Sequence, residues 1–154
     1  MNKKTQFMLA AVCVLAVLAL VIGFLLPAVR IHIAERAALS QLGKPYAFGT
    51  AGPDSFDCSG LMKLAYARAG VSLDHSTQSV SSDSRFTTIS DSARLRRGDL
   101  VFFDTIANSR EIDHVGFWLG RGRFVHASSA SGEVIISEFD ERWQERFVLA
   151  KRIL

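Results

Sequence analysis

The sequence is poor in cysteine and proline, and its first 30 positions contain no acidic residue. Two cysteines among 154 residues exclude a disulfide-stapled scaffold. A composition of 49% hydrophobic and 21% charged residues excludes disordered, collagen-like and low-complexity chains. Three of the 18 basic residues lie in positions 1–30, so the other 15 are balanced by all 15 acidic residues. The region beyond residue 30 is therefore formally neutral and lacks the electrostatic footprint of a nucleic-acid-binding protein.

The N-terminal region contains 20 consecutive uncharged residues, Phe7–Leu26. A helix of about 20 apolar residues crosses the ~30 Å hydrocarbon core of a membrane. Lys3 and Lys4 precede the run, as in a signal peptide or a membrane anchor. No site of the Ala-x-Ala kind follows it, because Leu26-Pro27-Ala28 carries a bulky residue at the wrong place. We interpret residues 1–30 as an uncleaved transmembrane anchor, with a cleaved signal segment as the alternative.

Cys13 lies inside this apolar run and raises a third possibility, a lipoprotein. Ala10-Ala11-Val12-Cys13 loosely resembles the lipidation motif, but Val12 is larger than the small residue expected before a lipidated cysteine. Apolar sequence also continues for 13 residues beyond Cys13. We therefore interpret Cys13 as a small residue that faces lipid or packs within the helix.

Residues 31–154 are long enough for one domain, and their pattern changes from helical to strand-like along the chain. The predicted helices are Ala34–Leu42, Ser59–Ala69, Ser76–Ser84 and Asp140–Phe147. The predicted strands, short runs rich in Val, Phe and Ile between turn residues, are Gly98–Phe103, Asp113–Leu119, Arg123–Ala127, Glu133–Ser137 and Val148–Ile153. Helices followed by a strand meander predict an α+β fold, with N-terminal helices packed on an antiparallel sheet.

Cys58 is the candidate nucleophile. It follows the Gly- and Pro-containing loop Lys44–Ser55 and stands at the start of a predicted helix. The partial positive charge of a helix N-terminus favours the thiolate, which is the reactive form of cysteine. The alternative is a structural cysteine, which is usually buried in the middle of an element and inert.

Two histidines strengthen the catalytic interpretation. His114 opens one predicted strand, and His126 lies in the next strand after a tight turn, so both can lie on adjacent antiparallel strands. Cross-strand neighbours place side chains about 5 Å apart. His114 could then accept the proton of Cys58 while His126 orients the ring of His114. Either histidine alone would be read as an ordinary polar residue of a sheet.

A zinc site built from the same residues is the competing chemical interpretation. Cys58, His114 and His126 could bind zinc, with Asp113 or Asp57 as a fourth ligand. The sequence has no paired short ligand spacing such as C-x-x-C or H-x-x-x-H, which makes this interpretation weak.

Taken together, these residues resemble the NlpC-type cell-wall cysteine peptidases, which have a papain-like core. The resemblance runs from about Ala38 to Ile153 and is closest to small, envelope-bound murein endopeptidases of Gram-negative bacteria. Its landmarks occur in order: Leu42-Gly43-Lys44-Pro45-Tyr46 with Gly49; Phe56-Asp57-Cys58-Ser59-Gly60-Leu61; Gln78; Arg97-Gly98-Asp99-Leu100-Val101-Phe102-Phe103; His114-Val115-Gly116 with Leu119-Gly120; Phe124-Val125-His126-Ala127; and Ala150-Lys151-Arg152-Ile153.

The resemblance implies a catalytic triad and a substrate. Cys58 corresponds to the nucleophile, His114 to the base and His126 to the third, orienting residue. The substrates of the family are peptide stems of peptidoglycan, cut next to D-glutamate or diaminopimelate or at the cross-link. No metal or organic cofactor is implied.

Residues beside the thiol receive further roles from the resemblance. Tyr46 corresponds to a tyrosine that helps to stabilise the oxyanion, and Asp57 and Ser59 correspond to residues that line the substrate groove. One segment departs from the family. Where many members have Leu-Pro-Arg followed by two Ser or Thr residues, this chain has Leu73-Asp74-His75-Ser76-Thr77, so the proline is lost and His75 replaces the arginine.

The sequence therefore predicts a cysteine peptidase of the bacterial envelope that hydrolyses amide bonds in peptidoglycan. We expect a transmembrane anchor in residues 1–30 to hold a catalytic domain, residues 31–154, on the periplasmic side of the inner membrane. Two alternatives remain open. One is a thiol acyltransferase on the same fold, and the other is a non-catalytic, anchored component of cell-wall assembly.

Overall fold

The computed structural model describes residues 2–106 and 111–154, so Met1 of the predicted anchor lies outside the described residues. Its first element is helix α1, Lys3–Leu39, which carries the apolar run and continues into the domain. The helix differs in exposure along its length, since Leu20 is 74% exposed whereas Ala34 and Ala38 are fully buried. One helix thus serves both as the apolar N-terminal segment and as the first layer of the domain.

The other elements follow in the predicted order. The remaining helices are α2 (Cys58–Arg68), α3 (Thr77–Ser82), a short 3₁₀ helix (Ser92–Arg94) and α4 (Glu141–Arg146). The strands are β1 (Thr87–Ile89), β2 (Leu100–Phe103), β3 (His114–Gly120), β4 (Arg123–Ser128), β5 (Glu133–Glu138) and β6 (Phe147–Arg152).

The six strands form one antiparallel sheet in the order β1-β6-β2-β3-β4-β5. Strands β2 to β5 are neighbours in both sequence and space, so the predicted meander is confirmed. Strand β6 returns to pair with β2 on the other side, aligning Val101 with Ala150. Strand β1 then pairs with β6 at the edge.

The two faces of the sheet bury different partners, because successive side chains of a strand point to opposite faces. One face, including Phe102, Val115 and Phe117, packs with Leu61 and Ala65 of α2. The other face, including Phe103 and Phe124, packs with Trp143 of α4, and the rings of Phe103 and Trp143 are 4.7 Å apart. The predicted α+β architecture, helices on an antiparallel sheet, is confirmed.

The structure differs from the predicted elements at the end of α1, at the 3₁₀ helix Ser92–Arg94, which was not predicted, and at β1. The helix predicted at Ala34–Leu42 is the end of α1 and stops at Leu39, because residues 40–43 turn and Gly43 adopts a φ of 77°. Strand β1 was not predicted. Its first two residues are exposed and the third is buried. A segment of three residues is too short to show the two-residue period of a strand. Only pairing with β6 defines it as a strand.

Candidate active site

Cys58 is the first residue of α2, and the residues around it explain why a helix begins there. Asp57 is the N-cap, and its Oδ1 accepts a hydrogen bond of 2.7 Å from the backbone N–H of Gly60. An N-cap carboxylate satisfies a helix donor that has no partner within the helix. A Cβ at Gly60 would lie 2.1 Å from the carbonyl oxygen of Thr50, so a glycine is needed where the helix meets the preceding loop. The Asp-Cys-Ser-Gly segment therefore fixes the position of the thiol.

The Cys58 side chain is 8% exposed and lies against the start of β3. Its Sγ is 3.6 Å from Oγ1 of Thr77 and 3.9 Å from the carbonyl oxygen of Asp113, which directly precedes His114. These two contacts do not involve the imidazole of His114. Catalytic hydrogen bonds are often long in the absence of substrate.

The environment of the thiol opposes ionisation, contrary to the expectation from the helix N-terminus. Burial raises the pKa of Cys58, and the nearby carboxylate of Asp57 raises it further. Hydrogen bonds from Thr77 and from the backbone of Val115 and Ser59 lower the pKa but do not outweigh burial. Desolvation of a nearly enclosed thiolate therefore exceeds the stabilisation by these hydrogen bonds.

The two histidines lie in direct contact, as their strand positions predict. His114 opens β3, His126 lies within β4, and Nε2 of His114 is 2.7 Å from Nδ1 of His126. On its other side, Nε2 of His126 is 2.9 Å from Oγ of Ser137 in β5. These contacts leave Nδ1 as the nitrogen of His114 that is available to the thiol. No sequence pattern indicates Ser137, because a serine in a strand is common and its partner is set by the pairing of β4 with β5.

Burial keeps both imidazoles neutral. Desolvation lowers the pKa of His114 to about 4, and it lowers that of His126 to about 3 with a further contribution from His114. Trp143 supplies part of this apolar environment, since its ring stacks on His114 at 5.8 Å and meets His126 edge-on at 5.4 Å. A neutral imidazole can accept a proton, so His114 is in the form that a general base requires.

A groove of about 420 Å³ opens at Cys58, and Tyr46, Asp57 and Ser59 all line it. The phenol of Tyr46 lies within electrostatic reach of the thiol: burial raises its pKa, and charge on Cys58 and Asp57 raises it further. Ser59 donates a hydrogen bond of 3.1 Å to Oδ1 of Asp57, so it also holds the carboxylate in place. The structure thus brings these three residues to one groove.

Asp57 has a second partner in the groove, His75. Nε2 of His75 is 2.9 Å from both carboxylate oxygens of Asp57, and Oδ2 also accepts a hydrogen bond of 2.8 Å from Gly49 N–H. Burial raises the pKa of Asp57, but hydrogen bonds from Gly60, His75 and Gly49 outweigh burial, so the net shift is downward. Asp57 is therefore ionised at neutral pH.

The zinc interpretation finds no support in this geometry. Across residues 2–106 and 111–154, no group of three or more His, Cys, Asp or Glu side chains is arranged to hold a metal ion. His114 and His126 hydrogen-bond to each other, and the carboxylate of Asp113 accepts hydrogen bonds from Thr105 and Ile106. The groups proposed as ligands thus have other partners.

Comparison with known proteins shows the family of this chain. The sequence profile of the NlpC/P60 family matches residues 43–152, which include every candidate site residue. The chain belongs to the NlpC/P60 family. The predicted family is therefore confirmed.

Two curated NlpC/P60 relatives come from Escherichia coli. The probable endopeptidase YafL is 42% identical over 129 residues, which cover 82% of this chain and 49% of YafL. The murein DD-endopeptidase MepH is 33% identical over 124 residues, which cover 79% of this chain and 45% of MepH. The chain thus spans about half the length of the curated relatives that it matches.

A solved NlpC/P60 structure gives the same picture of the fold. The peptidoglycan hydrolase RipB from Mycobacterium tuberculosis superposes with a TM-score of 0.67 at 27% identity. The match covers 83% of this chain and 66% of the RipB chain.

The departure from the NlpC/P60 pattern has a structural counterpart. The arginine expected in the Leu-Pro-Arg segment is replaced by His75, and His75 is the residue that pairs with Asp57. The substitution therefore exchanges a guanidinium, with five N–H donors, for a smaller imidazole that contacts the carboxylate through one nitrogen.

Proposed function

We propose that the chain is a cysteine peptidase that hydrolyses amide bonds in the peptide stems or cross-links of peptidoglycan through Cys58, His114 and His126. The observation that carries the proposal is the packing of the Cys58 thiol, at the start of α2, against the start of β3, where the His114–His126–Ser137 chain begins. The E. coli relatives named as endopeptidases, one of them of murein, support the substrate class.

The first step is attack on the scissile carbonyl. Nδ1 of His114 accepts the proton of the Cys58 thiol while Sγ bonds to the carbonyl carbon, and the carbonyl π electrons move to oxygen. Because both groups are neutral at rest, proton transfer accompanies the attack and creates the imidazolium. His126 accepts the hydrogen bond from Nε2–H of His114 and donates its own Nε2–H to Ser137, which fixes the tautomers of both rings.

The tetrahedral intermediate needs hydrogen-bond donors for its oxyanion. The backbone N–H groups of Cys58 and Ser59 lie in the first turn of α2, where donors have no acceptor within the helix. Together with the phenol of Tyr46, they are the donors we assign to the oxyanion.

Two steps complete the reaction. The imidazolium of His114 donates its proton to the leaving amine as the C–N bond breaks, which leaves a thioester on Cys58. Water then attacks the thioester carbon with His114 again as base, and the C–S bond breaks to release the carboxylate and restore the thiol. The chemistry uses this chain's own side chains and water.

Digestion of purified peptidoglycan tests the activity. The full chain in detergent micelles is incubated with sacculi, and released muropeptides are identified by mass spectrometry, with Cys58→Ala as the matched control. We expect bond-specific fragments from the wild type and none from the variant. Equal release by Cys58→Ala would contradict the mechanism, and failure of a thiol-directed probe to label Cys58 would favour a non-catalytic wall component. Transfer of an acyl group to an added amine or lipid, without hydrolysis, would favour the acyltransferase.

We further propose that α1 anchors this domain in the inner membrane with the domain in the periplasm. A candidate membrane span covers Val12–Leu39, and an 18-residue window within it has a mean hydropathy of 3.0 and no residue buried inside the protein. At its C-terminal part, α1 packs on α2, and Nε of Arg30 donates a hydrogen bond of 2.8 Å to the carbonyl of Ala69. The domain would thus be held close to the membrane face by a helix rather than by a flexible linker.

Two measurements test the anchor. After a carbonate wash, we expect the chain in the membrane fraction; a soluble form that begins near Ala28 would show instead that the segment is a cleaved signal. An alkaline phosphatase fused after Leu154 should be active, since it folds only where disulfides form. An inactive fusion of full length would place the domain in the cytoplasm and remove peptidoglycan as the substrate.

A further inference from the structure

A second cavity, of about 230 Å³, lies beside the histidine pair. Both His114 and His126 line it, whereas the described lining of the Cys58 groove includes neither imidazole. The carbonyl of Asp113 contacts the Cys58 thiol, and the next residue, His114, lines the second cavity, so the two cavities meet at this point of β3.

The second cavity has the composition of an anion site. Its lining includes two guanidinium groups, Arg142 and Arg146 on α4, together with hydroxyl side chains and no Asp or Glu. The guanidinium of Arg142 lies 5.6 Å from the centre of the Trp143 ring, a cation–π contact that holds it near the cavity. Among the described residues, no ion pair within 4.0 Å engages either arginine.

The acidic group nearest to His114 in sequence is already engaged. The carboxylate of Asp113 accepts hydrogen bonds of 2.9 Å from both the N–H and the hydroxyl of Thr105, and one of 3.0 Å from the N–H of Ile106. Arg142 and Arg146 are therefore the charged residues of the described cavity lining, and no carboxylate accompanies them there.

We propose that this cavity is the subsite for the leaving fragment of the substrate, in which Arg142 and Arg146 bind a carboxylate of that fragment. The inference rests on the proposed function, because the proton donor to the leaving amine must lie beside that amine. His114 is that donor in the proposed mechanism, and it lines the second cavity. The fragment that departs with the amine thus enters the space between His114 and α4.

The chemistry of the proposed substrate suits this subsite. Amino acids of peptide stems, diaminopimelate in particular, carry carboxyl groups near the nitrogen that leaves. Guanidinium groups bind carboxylates through paired hydrogen bonds in a fixed geometry. The Cys58 groove, in contrast, contains the ionised carboxylate of Asp57. Opposite charge in the two cavities would set the direction in which the peptide binds.

A pair of substrates tests the subsite. Both are stem peptides with the same acyl side, and they differ only in the leaving residue, which carries a free carboxylate in one and a primary amide in the other. We compare five proteins in detergent micelles: the wild-type full chain, Arg142→Ala, Arg146→Ala, the double variant and the control Arg123→Ala. Arg123 is an exposed arginine on β4 and lies outside this cavity. The measured quantity is kcat/KM for the acid substrate divided by kcat/KM for the amide substrate. A substitution that only impairs folding lowers both values equally and leaves this ratio unchanged.

We expect this ratio to fall by about 10–100-fold in the single variants of the subsite, as for the loss of a charged hydrogen bond. Arg146→Lys and Arg142→Lys should restore part of it, and Arg123→Ala should keep the wild-type ratio. A wild-type ratio in the double variant would overturn the proposal.

Binding without turnover separates this inference from the proposed activity. In the Cys58→Ala background, diaminopimelyl-D-alanine and its amide are titrated by calorimetry. Tighter binding of the acid, lost with Arg142→Ala and Arg146→Ala, supports the subsite even if the wild type cleaves no stem peptide. Equal binding of acid and amide overturns the subsite even if the wild type is an active peptidase.

Discussion

Nε2 of His114 and Nδ1 of His126 lie 2.7 Å apart, so the third residue of the proposed triad engages Nε2 of His114 and leaves Nδ1 without this partner. For Nδ1 of His114 to take a proton, Nε2 must carry one and donate it in this hydrogen bond. The same reasoning makes Nε2 of His126 a donor to Ser137. One protonation pattern therefore satisfies the whole chain of contacts.

The two histidines should differ in their effect on turnover. We expect His114→Ala to lower kcat by roughly 10²–10⁴-fold, because it removes the group that moves the proton. His126→Asn should lower kcat less, because an amide oxygen can still accept the hydrogen bond from His114. Steady-state kinetics on one defined muropeptide measures both effects. An active His114→Ala beside an inactive His126→Ala would mean that the roles are exchanged.

Ser137 should act as a positioning residue through His126. Ser137→Ala removes one hydrogen bond, whose net value of about 1 kcal/mol corresponds to a drop in kcat of about fivefold. KM should change little, because Ser137 does not line the described Cys58 groove. Ser137→Thr keeps the hydroxyl and should restore kcat, and Ser82→Ala, a serine on the exposed surface of α3, is the control. A rise in KM with constant kcat would contradict this role.

Stability should fall in mild acid because of the buried histidines. In the unfolded chain, histidine has a pKa of about 6.5, whereas burial lowers the pKa of His114 to about 4 and that of His126 to about 3. Between pH 6.5 and 4 the unfolded state therefore binds more protons than the folded state, and the free energy of unfolding decreases as the pH decreases. Above pH 6.5 these two groups have no further effect.

Thermal unfolding of the full chain in detergent at pH 7 and pH 5 measures this loss. Each histidine contributes a slope of up to about 1.4 kcal/mol per pH unit. His126→Asn, which does not titrate, should remove about half of the difference between the two pH values. Equal differences for wild type and variant would show that His126 is not a buried neutral group.

His75 should affect substrate binding through Asp57. Its imidazole lies 2.9 Å from both carboxylate oxygens of Asp57 in the groove. We expect His75→Ala, which removes this partner, to raise KM, and His75→Arg, which places a guanidinium beside the carboxylate, to keep KM closer to the wild-type value. The kcat value should change less, since the contacts of the Cys58 thiol with Thr77 and Asp113 do not involve His75. Steady-state kinetics on one defined muropeptide measures both values, and an unchanged KM in His75→Ala would contradict this role.

Much of the fold followed from local sequence patterns. Helix α2 begins within one residue of its predicted start because Asp57 is an N-cap and apolar residues recur at helical spacing. Strands β2 to β5 were predicted because short Val- and Phe-rich runs alternate with turns. The edge strand β1 escaped prediction, since three residues carry no pattern without their partner β6.

The sequence by itself determined the order of elements, the apolar run of α1 and the identity of the three candidate catalytic residues, because these depend on residue type and spacing. Only the tertiary structure decided which nitrogen of His114 contacts His126 and that Ser137 is the last partner in this series of hydrogen bonds. It also decided that Arg142 and Arg146 line the same cavity as the two histidines. It also decided that Cys58 is a neutral thiol at rest. Protonation and hydrogen-bond partners depend on burial and on side chains that converge from distant elements, and a local pattern carries neither.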